Sequence, residues 1–337
     1  MTTLAPALRR SYAMHGAGIE LRADDPAVLE AMDLRLRGFA AAAAPAPGAG
    51  PALRFEFVSG PPPRLPRAGG RPVYDTPHGS LHYFPEHDLL AGELGGVALR
   101  CRPGSGGALI TAPEFRSRAL YFATHPVTTV ALMEMMERRG RFSLHAGCLA
   151  DADGNGVLLC GTSGAGKSTL TLALARAGLG FLGDDTVFLE RSGPDPAQRG
   201  GIRALAFPDA LGLGPFAAGR FPELAHFAVG PLADGFSKRL HRYEQLFGRE
   251  PLRACVPRAI VFPQVTPKLP SAITPLARGE ALLRLVPDVL VTQPESTQSH
   301  VTAIAALLAQ ADCYTVRSGH DLERAADLIH EALAQNL

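Results

Sequence analysis

Eight consecutive residues, Gly161-Thr-Ser-Gly-Ala-Gly-Lys-Ser168, fit the phosphate-binding pattern G-x-x-x-x-G-K-[ST] at every fixed position. Glycines allow the backbone to approach a phosphate closely, so that its N–H groups converge on the phosphate oxygens. The Lys167 ammonium can reach the β and γ phosphates, and the Ser168 hydroxyl can bind Mg²⁺. The pattern therefore predicts a site for Mg²⁺ and a nucleoside triphosphate, which we take to be ATP. The residues predicted to bind it here are Gly161, Thr162, Ser163, Gly164, Ala165, Gly166, Lys167, Ser168 and Thr169.

The elements that flank this loop are the ones that phosphate binding requires. The apolar run Gly156–Cys160 predicts a buried strand before the loop. After it, residues 169–177 are rich in helix formers, and Gly178 is a typical helix end. The N-terminus of such a helix adds a partial positive charge beside the phosphates. The alternative is a chance glycine turn between a strand and a helix, and the intact context makes it the weaker explanation.

A pair of carboxylates, Asp184 and Asp185, follows the predicted helix. Because residues 180–190 are otherwise largely apolar, they predict a strand, on which adjacent side chains face opposite sides. Burying a carboxylate costs folding free energy, so two carboxylates within an apolar run favour a functional reason for their presence. One could complete the Mg²⁺ shell while the other takes a proton from an attacking hydroxyl. The alternative is a solvated Asp-Asp turn between two strands, and the complete phosphate loop just upstream favours function.

The residues that precede the phosphate loop predict that a histidine lies near it. Residues 126–139 predict a helix that begins at Pro126 and stops at Gly140. Residues 141–146 then predict a strand, and the polar run 151–156 predicts a hairpin turn into the loop strand. This arrangement puts His145 on the strand next to the one that carries the loop.

The chain length predicts two domains, because 337 residues exceed what one hydrophobic core usually organises. We expect a small α+β domain over residues 1–125 and a nucleotide-binding domain over residues 126–337. Within the first, Asp25-Pro26 predicts a helix start, with an N-cap followed by an N1 proline. Residues 53–58 alternate in polarity and predict a strand. We recognise no catalytic motif in this first domain.

The composition excludes several classes of protein. Hydrophobic residues make up 46%, charged residues 19%, and the formal net charge is +1. We therefore expect no nucleic-acid partner and no membrane partner. The five cysteines are scattered without C-x-x-C spacing, which argues against a disulfide framework and a zinc site. No apolar run is long enough to span a bilayer, so we predict a cytoplasmic protein, and a homo-oligomer is compatible with the sequence.

Together these motifs resemble a known family. His145-Ala, Gly-Val-Leu-Leu, the glycine loop, a helix ending in Gly and Asp-Asp-x-Val resemble the core of HPr kinase/phosphorylase and of related kinases that phosphorylate hydroxyls on peptides. The resemblance is densest over residues 145–189. It implies an α/β, phosphoenolpyruvate-carboxykinase-like domain with a mixed sheet around the loop. It also implies roles for individual residues: phosphate and metal binding by Lys167 and Ser168, a catalytic base at Asp184, a Mg²⁺ ligand at Asp185, and His145 beside the two aspartates.

Outside that core the resemblance is partial. The step Lys238-Arg239 resembles a Lys-Arg pair of the HPr-kinase-like group and could steady the transferring phosphoryl group. A solvated basic turn is the alternative. The glutamate-arginine pair of bifunctional HPr enzymes has no counterpart, and neither does their basic loop that supports phosphorolysis. Phosphorolysis, and HPr itself as the substrate, therefore stay open.

The function predicted from these residues is transfer of the γ-phosphate of ATP to a serine-type hydroxyl. The resemblance implies a small protein or peptide as acceptor, either HPr-like or a ribosomally made precursor peptide. The alternatives are a small-molecule kinase of the same fold, a carboxykinase-like enzyme and a nucleotide-switch ATPase. Against the last, the sequence has neither Leu-Ser-Gly-Gly-Gln nor Asn-Lys-x-Asp, and its carboxylate pair comes only one helix after the loop.

Overall fold

A computed structural model describes residues 8–39, 52–66, 69–192, 201–207, 210–221, 224, 226, 228–229, 239–266, 270–288 and 293–335. The chain divides into two compact units. The first comprises Met1–Arg139 and Leu290–Thr297, and the second comprises Gly140–Val289 and Gln298–Leu337. The division comes later in the chain than the predicted boundary between residues 125 and 126, which falls inside a helical segment of the first unit.

The first unit is built on one sheet of eight strands. The strands are β1 (Leu8–Met14), β2 (Ala17–Ala23), β3 (Leu53–Ser59), β4 (Arg71–Thr76), β5 (Gly79–Phe84), β6 (Leu89–Leu94), β7 (Val97–Arg102) and β8 (Gly107–Ala112). Their order is β1-β2-β3-β8-β7-β6-β5-β4, with β2, β3 and β8 parallel to one another and the other pairs antiparallel. The strand predicted over residues 53–58 is confirmed as β3.

Helix α1 (Pro26–Leu36) connects β2 to β3 and begins where the sequence predicted. The Asp25 side chain accepts a hydrogen bond from the Ala27 N–H at 2.9 Å, and Pro26 occupies the first turn. A proline is tolerated there because the N–H that it lacks has no partner within the helix. Leu29 and Met32 lie on the buried face of the helix. The predicted cap and first helix are therefore confirmed.

The helix that was predicted to begin at Pro126 begins at Ser117 instead. It consists of α2 (Ser117–Phe122), one π-helical turn (Ala123–Val127) and α3 (Thr128–Glu137). Pro126 thus lies inside the segment, where its missing N–H leaves a carbonyl without its helical partner. Arg35 donates to the carbonyls of Thr124 at 2.5 Å and His125 at 3.3 Å. A side chain from α1, distant in the sequence, therefore donates to two carbonyls of the π turn.

The second unit contains a nine-stranded mixed sheet and a small three-stranded sheet. The strands are β9 (Arg141–Leu144), β10 (Ala146–Ala150), β11 (Asn155–Cys160), β12 (Gly180–Gly183), β13 (Val187–Arg191), β14 (Ile202–Ala206), β15 (Leu211–Leu213), β16 (Ala228–Val229), β17 (Arg239–His241), β18 (Ala254–Val265), β19 (Ala272–Pro275) and β20 (Asp312–Ser318). The large sheet runs β12-β10-β11-β18-β14-β13-β9, and β20 pairs with both β18 and β19. The small sheet runs β15-β17-β16.

Strand β11 leads into the phosphate loop and has neighbours of opposite direction. β10 is antiparallel to it and β18 is parallel. β20 is in turn parallel to β18, so β11, β18 and β20 all end at the same edge of the sheet. The α/β class and the mixed sheet around the loop, which the family resemblance implied, are therefore confirmed.

Helices cover the large sheet in the second unit. They are α4 (Lys167–Arg176), α5 (Pro215–Arg220), α6 (Tyr243–Phe247), α7 (Arg278–Leu285), α8 (Pro294–Gln310) and α9 (Leu322–Ala334), the first residues of α8 grouping with the first unit. Leu170 and Leu174 of α4 share a buried core with Ile329 of α9 and with Leu159 and Val261 of the sheet. No helix in the described parts of the chain is long and apolar enough to cross a membrane.

The end of α4 matches the prediction. Gly178 adopts a left-handed φ of 108°, a conformation that favours glycine. Its N–H donates to the Ala175 carbonyl at 3.2 Å, and the Leu179 N–H donates to the Leu174 carbonyl at 3.1 Å. These two bonds form a Schellman motif, which satisfies carbonyls at the helix end.

Close contact between α4 and β10 depends on Gly147. A Cβ added there would lie 2.7 Å from Thr171 Oγ1 and 3.2 Å from the Asp184 carbonyl oxygen. We expect Gly147→Ala to lower the free energy of unfolding by about 1–3 kcal/mol, because it overpacks this contact. Urea denaturation measures the change. Gly279→Ala is the control, since its Cβ would meet no atom within 4 Å, and it should leave stability the same or slightly higher. Identical unfolding curves for Gly147→Ala and the native protein would contradict this packing.

Candidate functional site

The phosphate loop requires glycine at three places. Gly161, Gly164 and Gly166 have φ values of 142°, 84° and 98°, which other residues rarely adopt. Gly166 is the N-cap of α4, so the loop passes directly into the helix N-terminus. Thr162 and Ser163 are exposed between these glycines. The strand, loop and helix predicted around a phosphate site are thus present, and the tip of the loop is open to solvent.

Lys167 is held against the loop and is only 7% exposed. Its Nζ donates to the Gly161 carbonyl at 2.5 Å and to the Thr162 carbonyl at 3.4 Å. Nζ also lies 3.0 Å from Nε2 of His145. An ammonium can only donate hydrogen bonds, and a ring nitrogen without a proton can accept one. The buried charge is therefore compensated by hydrogen bonds at the point where phosphates would bind.

His145 does not lie on a strand, and the strand predicted over residues 141–146 is broken there. β9 ends at Leu144 and pairs with β13, whereas β10 begins at Ala146 and pairs with β11. Ala146 is opposite Cys160, the last residue before the loop. His145 therefore lies beside the start of the loop, and its side chain is about one-third exposed (34%).

The two aspartates lie in a turn, and the continuous strand predicted through them is wrong. β12 ends at Gly183 and pairs with β10, whereas β13 begins at Val187 and pairs with β9. Since β9 and β10 separate at His145, their partner strands must separate as well. The two breaks therefore face each other, and Asp185 Oδ1 lies 3.5 Å from His145 Nδ1.

Asp184 and Asp185 differ sharply in environment. Asp184 is 2% exposed, and its Oδ2 accepts a hydrogen bond from the Gly212 N–H at 3.0 Å. The Asp185 side chain is 54% exposed and faces His145. A backbone donor lessens the penalty of burying a carboxylate. The pair thus offers one shielded carboxylate and one that is open to solvent and to a metal ion.

Gly212 makes a contact with Asp184 that the sequence did not predict. It lies in β15, at the centre of the run Leu211-Gly-Leu-Gly214. Nothing in the residue types of this segment indicates that its backbone reaches Asp184. Its bond fixes the Asp184 carboxylate and ties the small sheet to the candidate site.

The predicted cationic pair can be placed only in part. Lys238 lies outside the described residues, as does the side chain of Arg239. The backbone of Arg239 begins β17 and pairs with Leu213, so it is on the strand next to the one that carries Gly212. A role for either residue therefore stays a prediction.

The residues available for a metal ion fit Mg²⁺. Within the described ranges, no three His, Cys, Asp or Glu side chains come together as a metal cluster. Mg²⁺ usually takes only one or two protein ligands and completes its shell with phosphate oxygens and water. Ser168, in the first turn of α4, and Asp185 supply a hydroxyl and a carboxylate, which are ligands of that kind.

Comparison with known proteins supports the resemblance inferred from the motifs. No protein-family model matches the chain. The chain is similar to the HPr kinase/phosphorylase of Aromatoleum aromaticum, with 39% identity over 102 residues, which is 29% of this chain and 32% of that protein. It is also similar to the HPr kinase/phosphorylase of Chlorobium limicola, with 46% identity over 56 residues, 16% of this chain and 17% of that protein. These relatives confirm the predicted resemblance to the HPr kinase/phosphorylase family.

The similarity is limited in extent. The matched parts span about a third and about a sixth of the length of the two curated relatives. Among solved structures, the HPr(Ser) kinase/phosphatase from Coxiella burnetii aligns over 57% of this chain and 97% of that chain, with 14% identity and a TM-score of 0.29. That TM-score is too low to bear on the fold.

Proposed function

We propose that this protein is an ATP- and Mg²⁺-dependent kinase that transfers the γ-phosphate to a serine-type hydroxyl of a small protein or peptide. The observation that carries the proposal is the contact of Lys167 with His145, and of His145 with Asp185, at the mouth of the phosphate loop. A cation, a histidine and a carboxylate in mutual contact beside a phosphate loop support a role in transfer of a terminal phosphate. Relatives named HPr kinase/phosphorylase support the same chemistry.

In this mechanism the protein acts mainly by holding positively charged groups and N–H donors around the phosphates. The loop N–H groups and Lys167 bind the phosphates and stabilise the negative charge of the transition state. Ser168 and Asp185 would hold Mg²⁺, which neutralises charge on the β and γ phosphates when bound. Asp184 is assigned as the proton acceptor for the attacking hydroxyl, as the family resemblance implies. Its burial shields it from bulk water, which suits a group that must take its proton from the substrate.

Analysis of the product tests the proposal against its alternatives. Purified protein is incubated with ATP labelled at the γ-phosphate, together with an HPr-type protein or serine-containing peptides encoded near its gene. Label on a polypeptide serine is the expected result. Label released only as inorganic phosphate would instead identify a nucleotide-switch ATPase, and label on a metabolite would identify a small-molecule kinase. The loop variant Lys167→Met, assayed in parallel, excludes a contaminating kinase.

We expect His145→Ala to reduce turnover about tenfold, less than the roughly 10²–10⁴-fold that a general acid or base contributes, because His145 acts through its neighbours. His145 touches both Lys167 and Asp185, so its loss should leave each of them less well positioned. ATP affinity should change little, since the loop N–H groups remain. Steady-state kinetics, nucleotide titration and the melting temperature are measured on the same variant. A lowered melting temperature with normal turnover would show instead that His145 is only structural.

A further inference from the structure

The triphosphate would have a defined direction in the loop. Lys167, which reaches the β and γ phosphates in sites of this type, contacts His145, the residue immediately before β10. Asp185 is on the same side, because β12 is the other neighbour of β10. The γ end of the nucleotide therefore points toward β10. Its nucleoside end must leave on the opposite side of β11, where β18 is the neighbouring strand.

On that side β18 continues past the end of β11. Leu159 of β11 pairs with Val261, and β18 extends four residues further, to Val265. Val265 is 67% exposed and lies against the loop itself, because a Cβ added at Gly166 would be 3.0 Å from Val265 Cγ2. Ligands of open α/β sheets bind in the crevice outside such strand ends. An exposed aliphatic side chain thus borders the phosphate loop on its nucleoside side.

Beyond the end of the neighbouring strand β20, the ring of His320 pairs with that of Phe216 of α5. Val265 pairs with Ser318 of β20, and His320 follows two residues later. The ring of Phe216, which is 53% exposed, lies 6.0 Å from the His320 ring between centroids. Arg220, on the same helix as Phe216, donates to the His320 carbonyl at 3.0 Å. We call Val265, His320 and Phe216 the apolar shelf.

We propose that the apolar shelf binds the base of the nucleoside triphosphate. Every nucleobase has an apolar face that stacks on aromatic and aliphatic side chains, and such stacking is tolerant of base identity. Scattered exposed apolar residues are ordinary, but Val265 ends β18 beside the phosphate loop, His320 follows the adjacent parallel strand β20, and Phe216 of α5 lies against the His320 ring. The inference rests on the proposed function, because it requires a nucleoside triphosphate in the loop.

The experiment compares a ligand that has a base with one that lacks it. Dissociation constants for Mg²⁺-ATP and for Mg²⁺-tripolyphosphate are measured by calorimetry on the native protein and on Val265→Ser and Phe216→Ala. We expect each variant to bind ATP about tenfold more weakly, a loss typical of base stacking, and to bind tripolyphosphate as the native protein does. Leu283→Ala is the matched control, since Leu283 is 74% exposed on α7, and it should bind both ligands normally.

The outcomes separate this inference from the function beneath it. Native ATP affinity in both shelf variants would overturn the shelf and leave the kinase proposal standing. Equal loss of both ligands would also overturn it, because the substitutions would then have disturbed the phosphate loop. A native protein that binds neither ligand would overturn the proposed function itself, and the shelf with it.

Discussion

Lys167→Met should reduce phosphoryl transfer at least a hundredfold and weaken ATP binding. Removing a preorganised positive charge from the place where charge develops typically raises the barrier by about 3 kcal/mol. The Lys167 ammonium is buried and hydrogen-bonded to the Gly161 carbonyl and to His145, so it is preorganised in this sense. Methionine has a similar length and no charge, and it should fill the same space without unfolding the protein.

Turnover, the ATP dissociation constant and the melting temperature are measured together for this variant. The matched control is Arg176→Met, which removes a cation from the last turn of the same helix, where the side chain is exposed. It should leave turnover unchanged, so a general effect of net charge is excluded. Near-native turnover in Lys167→Met would rule out the loop as the site of phosphoryl transfer.

The parts of the structure that sequence reasoning predicted depend on few neighbouring residues. The Asp25 cap, the glycine loop and the Gly178 helix end are each determined by residue types within about one turn of chain. Their physical causes are local as well: a side-chain acceptor for one N–H, a positive φ, a pair of carbonyls to satisfy. Local residue types are therefore sufficient to predict the strand-loop-helix segment without any tertiary contact.

The parts that sequence reasoning missed depend on pairing across the chain. An apolar run on both sides of Asp184-Asp185 favours one strand, and only the separation of β9 from β10 shows that two strands meet there. Periodicity cannot reveal this, because a strand that changes partners keeps the same alternation of side chains. The π turn around Pro126 likewise has a partner far away in the sequence, since Arg35 donates to its Thr124 and His125 carbonyls. Long-range partners decided each of these cases.

The same limit applies to the candidate site. The sequence predicts His145 near the loop because its strand neighbours the loop strand, and that reason is incomplete. His145 and Asp185 come to 3.5 Å from each other because two strand interruptions, between β9 and β10 and between β12 and β13, coincide. Gly212 could not have been found from its residue type, since the group that acts is a backbone N–H in a different sheet.

Asp184→Asn and Asp185→Asn should separate the two carboxylates by function. The asparagine amide oxygen at position 184 can still accept the Gly212 hydrogen bond, so the fold and Mg²⁺-ATP affinity should persist. Turnover should nevertheless fall about 10²–10⁴-fold, because the proposed proton acceptor is gone. At position 185 the loss of an exposed negative charge removes the proposed metal ligand, so affinity for Mg²⁺-ATP and turnover should fall together.

Titration of Mg²⁺ at fixed ATP, followed by single-turnover kinetics, distinguishes these results. Asp153→Asn is the control for Asp185→Asn, because Asp153 is an exposed aspartate in the turn before β11, and it should alter neither quantity. An exchange of the two phenotypes would make the exposed Asp185 the base and the buried Asp184 the metal ligand. Equal loss of Mg²⁺-ATP affinity in both variants would refute any division of labour, since the carboxylates would then act as one metal site. Because one carboxylate is shielded and hydrogen-bonded whereas the other faces solvent and His145, we expect the separation.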